Sequence, residues 1–511
     1  YPSVAAYIQQ RLTFANTNNE TEKIWMSRTA NFHNFTTSLP IQADDSITFN
    51  MSGRQVNAVK NIVDVGKMIV LTSGGEWEML GDADGIISPG GVNPKQISYF
   101  GSSDIPPLVI GNAVLFVQAR NTIVRDLYED VIEGIGGNDL TIFASHLFEG
   151  RTIVAWAYQQ IPNSIVWIVF SDGDACGFTY LRDHKVWAWH RHDTDGNIKD
   201  VISIPEGTED VLYFIVERTI GGSAKKYIER MYSRYIDDII DSVFMDSALT
   251  YDGRNTGATT MTLTGSGWTY QDPLTLTASA GTFVAGDVGN EFHLTGSDGT
   301  VIRCKVSAYI NTTSVTVTPH KDVPVTMRAT AMLVWGKAVD AVKGLAHLEG
   351  KDVSVFADGF VVASPNNDAY ETVTVASGVA TLDKPYVVIH VGLPYISDIE
   401  TLDIDNFGGA SLVTNNKLVT QVGLYVEKTR GLFGGGKPPD DDDTDPLQGL
   451  YELKARNLEG YDEPNDLITG FVDIPIQNTW NSNGRVFVRQ VDPVPASVLA
   501  VYPSGLVSTN R

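Results

Sequence analysis

At 511 residues, with 43% apolar and 10% aromatic content, the chain is too long for one ordinary core and has the apolar mass for about three domains. Its 37 basic and 61 acidic residues leave a formal charge of −24 and a pI near 4.7, which argues against a protein that grips phosphate backbones. No stretch reaches the ~18 apolar residues a membrane helix needs, and Cys176 and Cys304 fit neither a disulfide framework nor a zinc motif, so two buried free thiols are expected.

Tyr1-Pro2 opens the chain with no signal peptide and no initiator Met, and an N-terminal part of the natural product is expected to be missing. Residues 1 to about 245 then read as short strands separated by turn signals. Ile24 and Met26 alternate with Trp25 and Ser27, and Asp44 to Phe49 follows. Asn57 to Val63 leads into Lys67 to Thr72, which Ser73-Gly74-Gly75 turns into Glu76 to Leu80. The interval of roughly ten residues per strand and turn continues through Val114–Val117, Ile165–Phe170 and Val186–Trp189, which indicates a sandwich, barrel or propeller. Strands that end in Gly-Gly or Asp-Gly, as at Leu71–Gly75, Phe170–Gly173 and His192–Gly196, resemble a propeller blade repeat without a strict period.

Between 224 and 241, Ile228, Met231, Tyr232, Tyr235, Ile236, Ile239 and Ile240 fall at helical spacing, with Lys226, Asp237 and Asp238 off the stripe, so a short amphipathic helix is expected. Residues 247–335 are rich in Thr, Ser and Gly and alternate cleanly over Val301–Val306 and Ser314–Thr318 around the turn Ser297-Asp298-Gly299. A self-contained small barrel or sandwich is expected there.

From Gly344 to Ile404 a dense series of strands follows. Asp358-Gly359 and Ser377-Gly378 are hairpin signals, Asp383-Lys384-Pro385 is a break, and the apolar run Tyr386–Val391 suits a strand covered on both faces. Gly431, Gly434, Gly435 and Gly436, then Lys437-Pro438-Pro439 and Asp440, Asp441, Asp442 and Asp443, form one low-complexity segment, expected to be a flexible loop over 431–445. Asn483–Gln490 and Val498–Val501 close the chain as another hairpin-and-strand unit.

The phrases GLAHLEGKDV, FADG and Ile389–Tyr395, with PSVAAYIQQRLTFANT, IWMSRTANFHNF, LTSGGEWEML, DLTIFASHLFEG and HKVWAWHRHDTDG before them and GRV, VRQ and DP after, resemble the tail nozzle, or tail tubular, proteins of short-tailed bacteriophages. The resemblance covers nearly the whole chain through an ordered series of phrases and no catalytic motif. It implies an all-β protein with a propeller-like platform over 1–246, an inserted small β-barrel over 247–335 and a C-terminal β region over 336–511 that rejoins the platform. The insert is similar to a β-barrel module found in ubiquitin-activating enzymes, with none of that enzyme's machinery.

Gly431–Lys437 fits seven positions of a phosphate-binding loop, but Pro438 stands where the magnesium-binding hydroxyl belongs. His190 and His192 share a strand face and, with Asp193 and Asp195, could hold a metal; a solvated hairpin tip is the expected alternative. Asp193–Asn197 and Asp440–Asp443 each lack the full calcium loop. Glu76 and Glu78 flank Trp77, and Asp237 and Asp238 are adjacent; paired acids suit glycoside cleavage, while a solvent face is the expected reading.

The resemblance therefore implies a non-enzymatic virion protein at the distal end of the short tail, with no cofactor, no metal and no catalytic residue. It would form a ring with itself, expected to be a homohexamer, below the tail adaptor or head-to-tail connector. The ring would extend the DNA channel, retain DNA until ejection and anchor fibres or spikes. Passing double-stranded DNA would meet an acidic wall without specific binding, and the residues Gly434 to Lys437 and Asp440 to Asp443 are the candidate channel or gate loop. The alternatives are a tail-associated glycan-binding or glycan-hydrolysing protein and a β-propeller adhesin.

Overall fold

The computed structural model describes residues 1–508 except 52, 54, 55, 83, 84, 131–133, 408, 409, 441–443 and 455–463. The protein is all-β, and among the described residues helix is confined to 3-10 turns of three to six residues. It divides into two compact units, Tyr1–Thr219 with Ala224–Tyr232, and Ile220–Ser223 with Ser233–Arg511.

The first unit is a series of antiparallel meanders in which each sheet uses consecutive strands. Sheet I holds Val4–Ile8, Arg11–Ala15, Lys23–Met26 and Ile47–Asn50. Sheet II holds Val59–Asp64, Met68–Thr72, Gly75–Leu80 and Asn93–Ser98. Sheet III holds Leu108–Ile110, Ala113–Val117, Val124–Asp130 and Gly134–Gly136. Sheet IV holds Ile153–Gln159, Ile165–Phe170, Ala175–Leu181 and Val186–His192, and sheet V has Asn197–Glu206, Glu209–Ile220 and Ser223–Arg230.

Period-2 side-chain geometry explains why the inner strands read as unbroken apolar runs. On Met68–Thr72, Met68 and Val70 pack with Ile24 and Met26 of sheet I, while Ile69 and Leu71 pack with Val114 and Phe116 of sheet III. Leu115 and Val117 instead face sheet IV, where they meet Ile168 and Phe170. Trp167 and Val169 point the other way, onto Ile198, Val201 and Leu212 of sheet V. Each inner sheet is thus buried on both faces, and a polar residue on either face needs an internal partner.

In the second unit, Asp246–Asp252, Val388–Leu393, Asp352–Ala357 and Phe360–Ala363 form one sheet. Val388–Leu393 is buried throughout, as expected for a strand covered on both faces. The hairpin turn at Asp358-Gly359 has φ of 47° and 85°, the left-handed pair a type I′ turn demands. A longer sheet runs from Ala331–Met332 through Met261–Thr264, Leu274–Ala278, Ser314–Pro319, Val301–Asn311 and Glu291–Thr295 to Trp335–Lys343 and Val379–Tyr386. Residues 261–332 carry their own core, centred on Leu276, Phe283, Phe292 and Val317. The segment 331–338 pairs with Met261–Thr262 at one end and with Glu291–Leu294 at the other, so one stretch of chain joins the two ends of that sheet.

Three sequence expectations are corrected. Residues 224–241 form no helix: Ser223–Arg230 is a strand, and only Ile239–Asp241 makes a 3-10 turn. Ile228 and Tyr235 are 77% and 76% exposed, so the helical stripe never finds a surface to cover, and strand pairing to Glu209–Ile220 wins. The break at Asp383-Lys384-Pro385 is absorbed inside the strand Val379–Tyr386, where the register jumps between Ala341↔Thr381 and Val339↔Tyr386. Finally, Gly434 and Gly435 are no mobile loop. They lie in the buried strand Leu432–Gly435, which pairs with Phe487–Gln490 and Tyr451–Glu452.

Candidate functional site

Catalysis by paired carboxylates needs them open to substrate. Glu76 and Glu78 lie on the face of sheet II turned to sheet III and are 0% and 4% exposed, which corrects the expectation of a solvent face. One Glu76 carboxyl oxygen accepts from the Ser98 hydroxyl and from the Phe100 amide, and the other has no hydrogen-bond partner. Burial raises the Glu76 pKa above the ordinary carboxylate value. Glu78 meets Lys67 at 3.0 Å, and the same ammonium holds Glu129 of sheet III at 2.6 Å. The two acids serve the sheet junction. Asp238 is used otherwise: its side chain accepts from the Ile240 amide and caps the 3-10 turn.

His190 and His192 do share one face of the strand Val186–His192, which runs on past Trp189 to His192. His190 Nδ1 and His192 Nε2 are 2.6 Å apart, and both rings pack on Trp167. Two imidazoles bound to one zinc at ~2.0–2.1 Å in a tetrahedron hold their nitrogens over 3 Å apart, so this spacing describes a hydrogen bond between rings. Asp193–Gly196 connects sheets IV and V instead of turning a hairpin. Arg218, 2% exposed, holds it by donating to Thr194 Oγ1 at 3.0 Å and to the Asp195 carbonyl at 2.6 Å, and pairs with Glu229 at 2.7 Å. Among the described residues no group of three or more His, Cys, Asp or Glu could hold a metal.

Side chains close in on Gly434, Gly435 and Gly436. A Cβ at Gly434 would meet Ile474 at 3.0 Å, one at Gly435 would meet Leu450 at 2.6 Å, and one at Gly436 would meet Asn478 at 2.2 Å. Among the described residues no helix follows Lys437, so the phosphate-loop reading has no N-terminal amides there to offer. Lys437 binds Asp440 at 2.7 Å on the surface, and Asp441, Asp442 and Asp443 lie outside the described residues.

Cys176 and Cys304 are buried and free, as expected, and burial pushes each thiol up to about 12. A cavity of about 200 Å³ between sheets II and III is lined by Ser98, Phe100, Phe116, Arg125 and Asp126. It is smaller than the ~300–1,000 Å³ of ordinary ligand pockets.

One cluster had no sequence signal. Ile468–Pro475, Lys417–Thr429 and Val498–Val507 form a three-stranded sheet whose inner face carries Val422, Leu424 and Ile474. Its outer face presents Tyr425, Phe471 and Tyr502, each about half exposed and each from a different strand. Tyr425 is 46 residues from Phe471 and 77 from Tyr502, so only strand pairing reveals them as neighbours.

Two solved structures show a weak likeness. Raptor of Chaetomium thermophilum is 11% identical with a TM-score of 0.29, over 63% of this chain and 28% of that one. The GH32 beta-fructofuranosidase BmSUC1 of Bombyx mori is 9% identical with a TM-score of 0.18, over 77% and 90%. The chain thus spans 28% of the Raptor chain, and at these scores neither likeness carries an argument. No curated protein matches the chain. A family model, bacteriophage nozzle protein, does match over residues 8–133, the stretch that holds IWMSRTANFHNF and LTSGGEWEML and forms sheets I and II with most of sheet III, so over about a quarter of its length the chain is similar to that family.

Proposed function

We propose that the chain is a subunit of the distal tail nozzle of a short-tailed phage, a non-enzymatic part that extends the DNA channel, retains DNA until ejection and anchors fibres or spikes. The family match over residues 8–133 carries this reading. In it, the meanders of the first unit are successive blades of a propeller-like platform, residues 247–335 are an inserted barrel, and six copies form a ring beneath the tail adaptor. Two facts support the arrangement. Sheets I to V bury one another's faces in chain order, which is how blades stack. Gly253 and Lys337, at the entry and exit of the insert, are neighbours through a 2.9 Å bond from the Lys337 amide to the Gly253 carbonyl.

The formal charge of −24 suits a wall along which DNA moves without counterion-releasing contacts. The gate narrows to the acidic segment beginning at Asp440, because Gly434 and Gly435 are strand residues. The reading calls for no cofactor, no metal and no membrane-spanning segment.

Immunogold labelling of intact particles with antibody against residues 247–335 tests the placement. Gold at the tail tip is the expected result; protein free in the lysate with unlabelled particles overturns it. Replacing Asp440 to Asp443 by Asn tests the gate separately. Premature DNA loss or altered ejection is expected, and particles indistinguishable from the parent remove the gate assignment.

A further inference from the structure

We propose that the outer face of the sheet formed by Lys417–Thr429, Ile468–Pro475 and Val498–Val507 is a polysaccharide-binding platform. The strand register puts Tyr425 opposite Phe471 and Ala500, and Gly423 opposite Asp473 and Tyr502. Paired residues share a face, and adjacent strands lie ~4.8 Å apart, so three rings from three strands sit on one face. Phe471 and Tyr502 have centroids 5.9 Å apart and planes inclined at 59°. Tyr425, Phe471 and Tyr502 are 45%, 56% and 51% exposed, values that leave ring surface open to solvent.

Gly423 shapes the patch. An ideal Cβ there would stand 2.9 Å from Phe471 Cζ and 3.1 Å from the Tyr502 carbonyl, so the missing side chain lets the tip of the Phe471 ring reach over the central strand. A solvent-exposed ring offers its negative π face to a ligand. The complementary surface is a row of polarised C–H bonds, which the flat side of a pyranose presents. Around the rings, the same register places Gln421, Asp473 and Ser504 on this face, an amide, a carboxylate and a hydroxyl suited to sugar hydroxyls.

Charge separates this occupant from the other polymer that stacks on aromatics. Single-stranded nucleic acid needs a cationic track beside its stacking rings. None of Gln421, Gly423, Tyr425, Phe471, Asp473, Ala500, Tyr502 and Ser504 is basic, and Asp473 would repel phosphate.

The test is affinity electrophoresis of the purified chain in gels containing dextran, mannan, xylan or hyaluronate, with a printed array of bacterial surface polysaccharides. The expected result is retardation or array binding with at least one glycan, little changed by high salt. Phe471→Ala and Tyr502→Ala should each raise the dissociation constant at least tenfold, about 1.4 kcal/mol. Gly423→Ala, which lifts the Phe471 ring, should weaken binding while the fold shows unchanged circular dichroism. Failure to bind any of these glycans, or binding indifferent to Phe471→Ala in a folded protein, overturns the proposal. So does an oligomer of the wild-type chain that Phe471→Ala converts to monomer, because the face would then be a contact between copies.

Discussion

His390 Nε2 donates to the Ile240 carbonyl at 2.7 Å, and its Nδ1 lies 2.7 Å from Thr250 Oγ1. One ring thereby ties the 3-10 turn Ile239–Asp241 and the strand Asp246–Asp252 to the buried strand Val388–Leu393. The donation to Ile240 puts a proton on Nε2, and in the neutral ring Nδ1 accepts from the Thr250 hydroxyl.

Burial lowers the His390 pKa below 6.5, against opposing help from Asp241 and Asp252 and with Arg254 adding to the lowering. The unfolded chain then binds the proton more readily than the folded one, so the stability from the neutral ring is present above pH 6.5 and is lost as pH falls below it. His390→Gln should cost about 1–3 kcal/mol at pH 7.5, the loss of buried hydrogen bonds. Urea unfolding at pH 7.5 and 5.5 should show a smaller pH effect in the variant than in the parent. An identical pH dependence in the two would contradict the assignment.

Glu76 has the opposite sign. Its folded pKa is raised, chiefly by burial, so its contribution is complete below the unfolded value of 4.5 and is lost as pH rises through the folded one. Glu76→Gln keeps an oxygen for Ser98 and Phe100 and puts its amide nitrogen where Oε1 already lacks a partner. The variant should unfold at higher denaturant than the parent at pH 8, by on the order of 1 kcal/mol, and the gap should close toward pH 4.5. A destabilised variant at pH 8 would show that the ionised carboxylate is the form the junction needs.

A methyl group at position 435 distinguishes a packed strand from a mobile segment. With Leu450 Cδ2 at 2.6 Å from the ideal Cβ and the strand buried, Gly435→Ala should lower stability by about 1–3 kcal/mol through overpacking. Thermal unfolding measures it. An unchanged melting temperature would restore the loop.

The insert should fold alone. Its core is built from residues 261–332, and its two ends are joined by the Arg254↔Gly336 bridge and by the bond from the Lys337 amide to the Gly253 carbonyl. A fragment spanning 253–337 should unfold cooperatively, with Cys304 unreactive toward a thiol reagent until denaturant is added. A fragment whose thiol reacts at once would show that the core depends on the strands beyond it.

Much of the strand order was legible from residue chemistry. The turn pair Asp358-Gly359 admits positive φ, and the apolar run Tyr386–Val391 suits a strand covered on both faces, as the buried strand Val388–Leu393 is. Sequence misread 224–241 because Ile228, Tyr235 and Ile239 satisfy a helical period, and a period does not say whether a partner surface exists. It misread Gly434–Gly436 for a related reason: glycine signals freedom in a loop and close approach in a core, and only Ile474, Leu450 and Asn478 decide between them. For the candidate sites, spacing correctly put His190 and His192 on one face but could not fix their 2.6 Å separation.

The sequence by itself determined the all-β class, the positions of most strands and the likeness to bacteriophage nozzle proteins over residues 8–133, because alternation, turn chemistry and family phrases are local properties of the chain. Tertiary structure alone decided that Glu76 is sealed between sheets, that His390 reaches Ile240 across 150 residues, and that Tyr425, Phe471 and Tyr502 share a surface. Burial and cross-strand neighbours are set by which strands pair and which sheets stack, and no local pattern encodes a contact between residues so far apart.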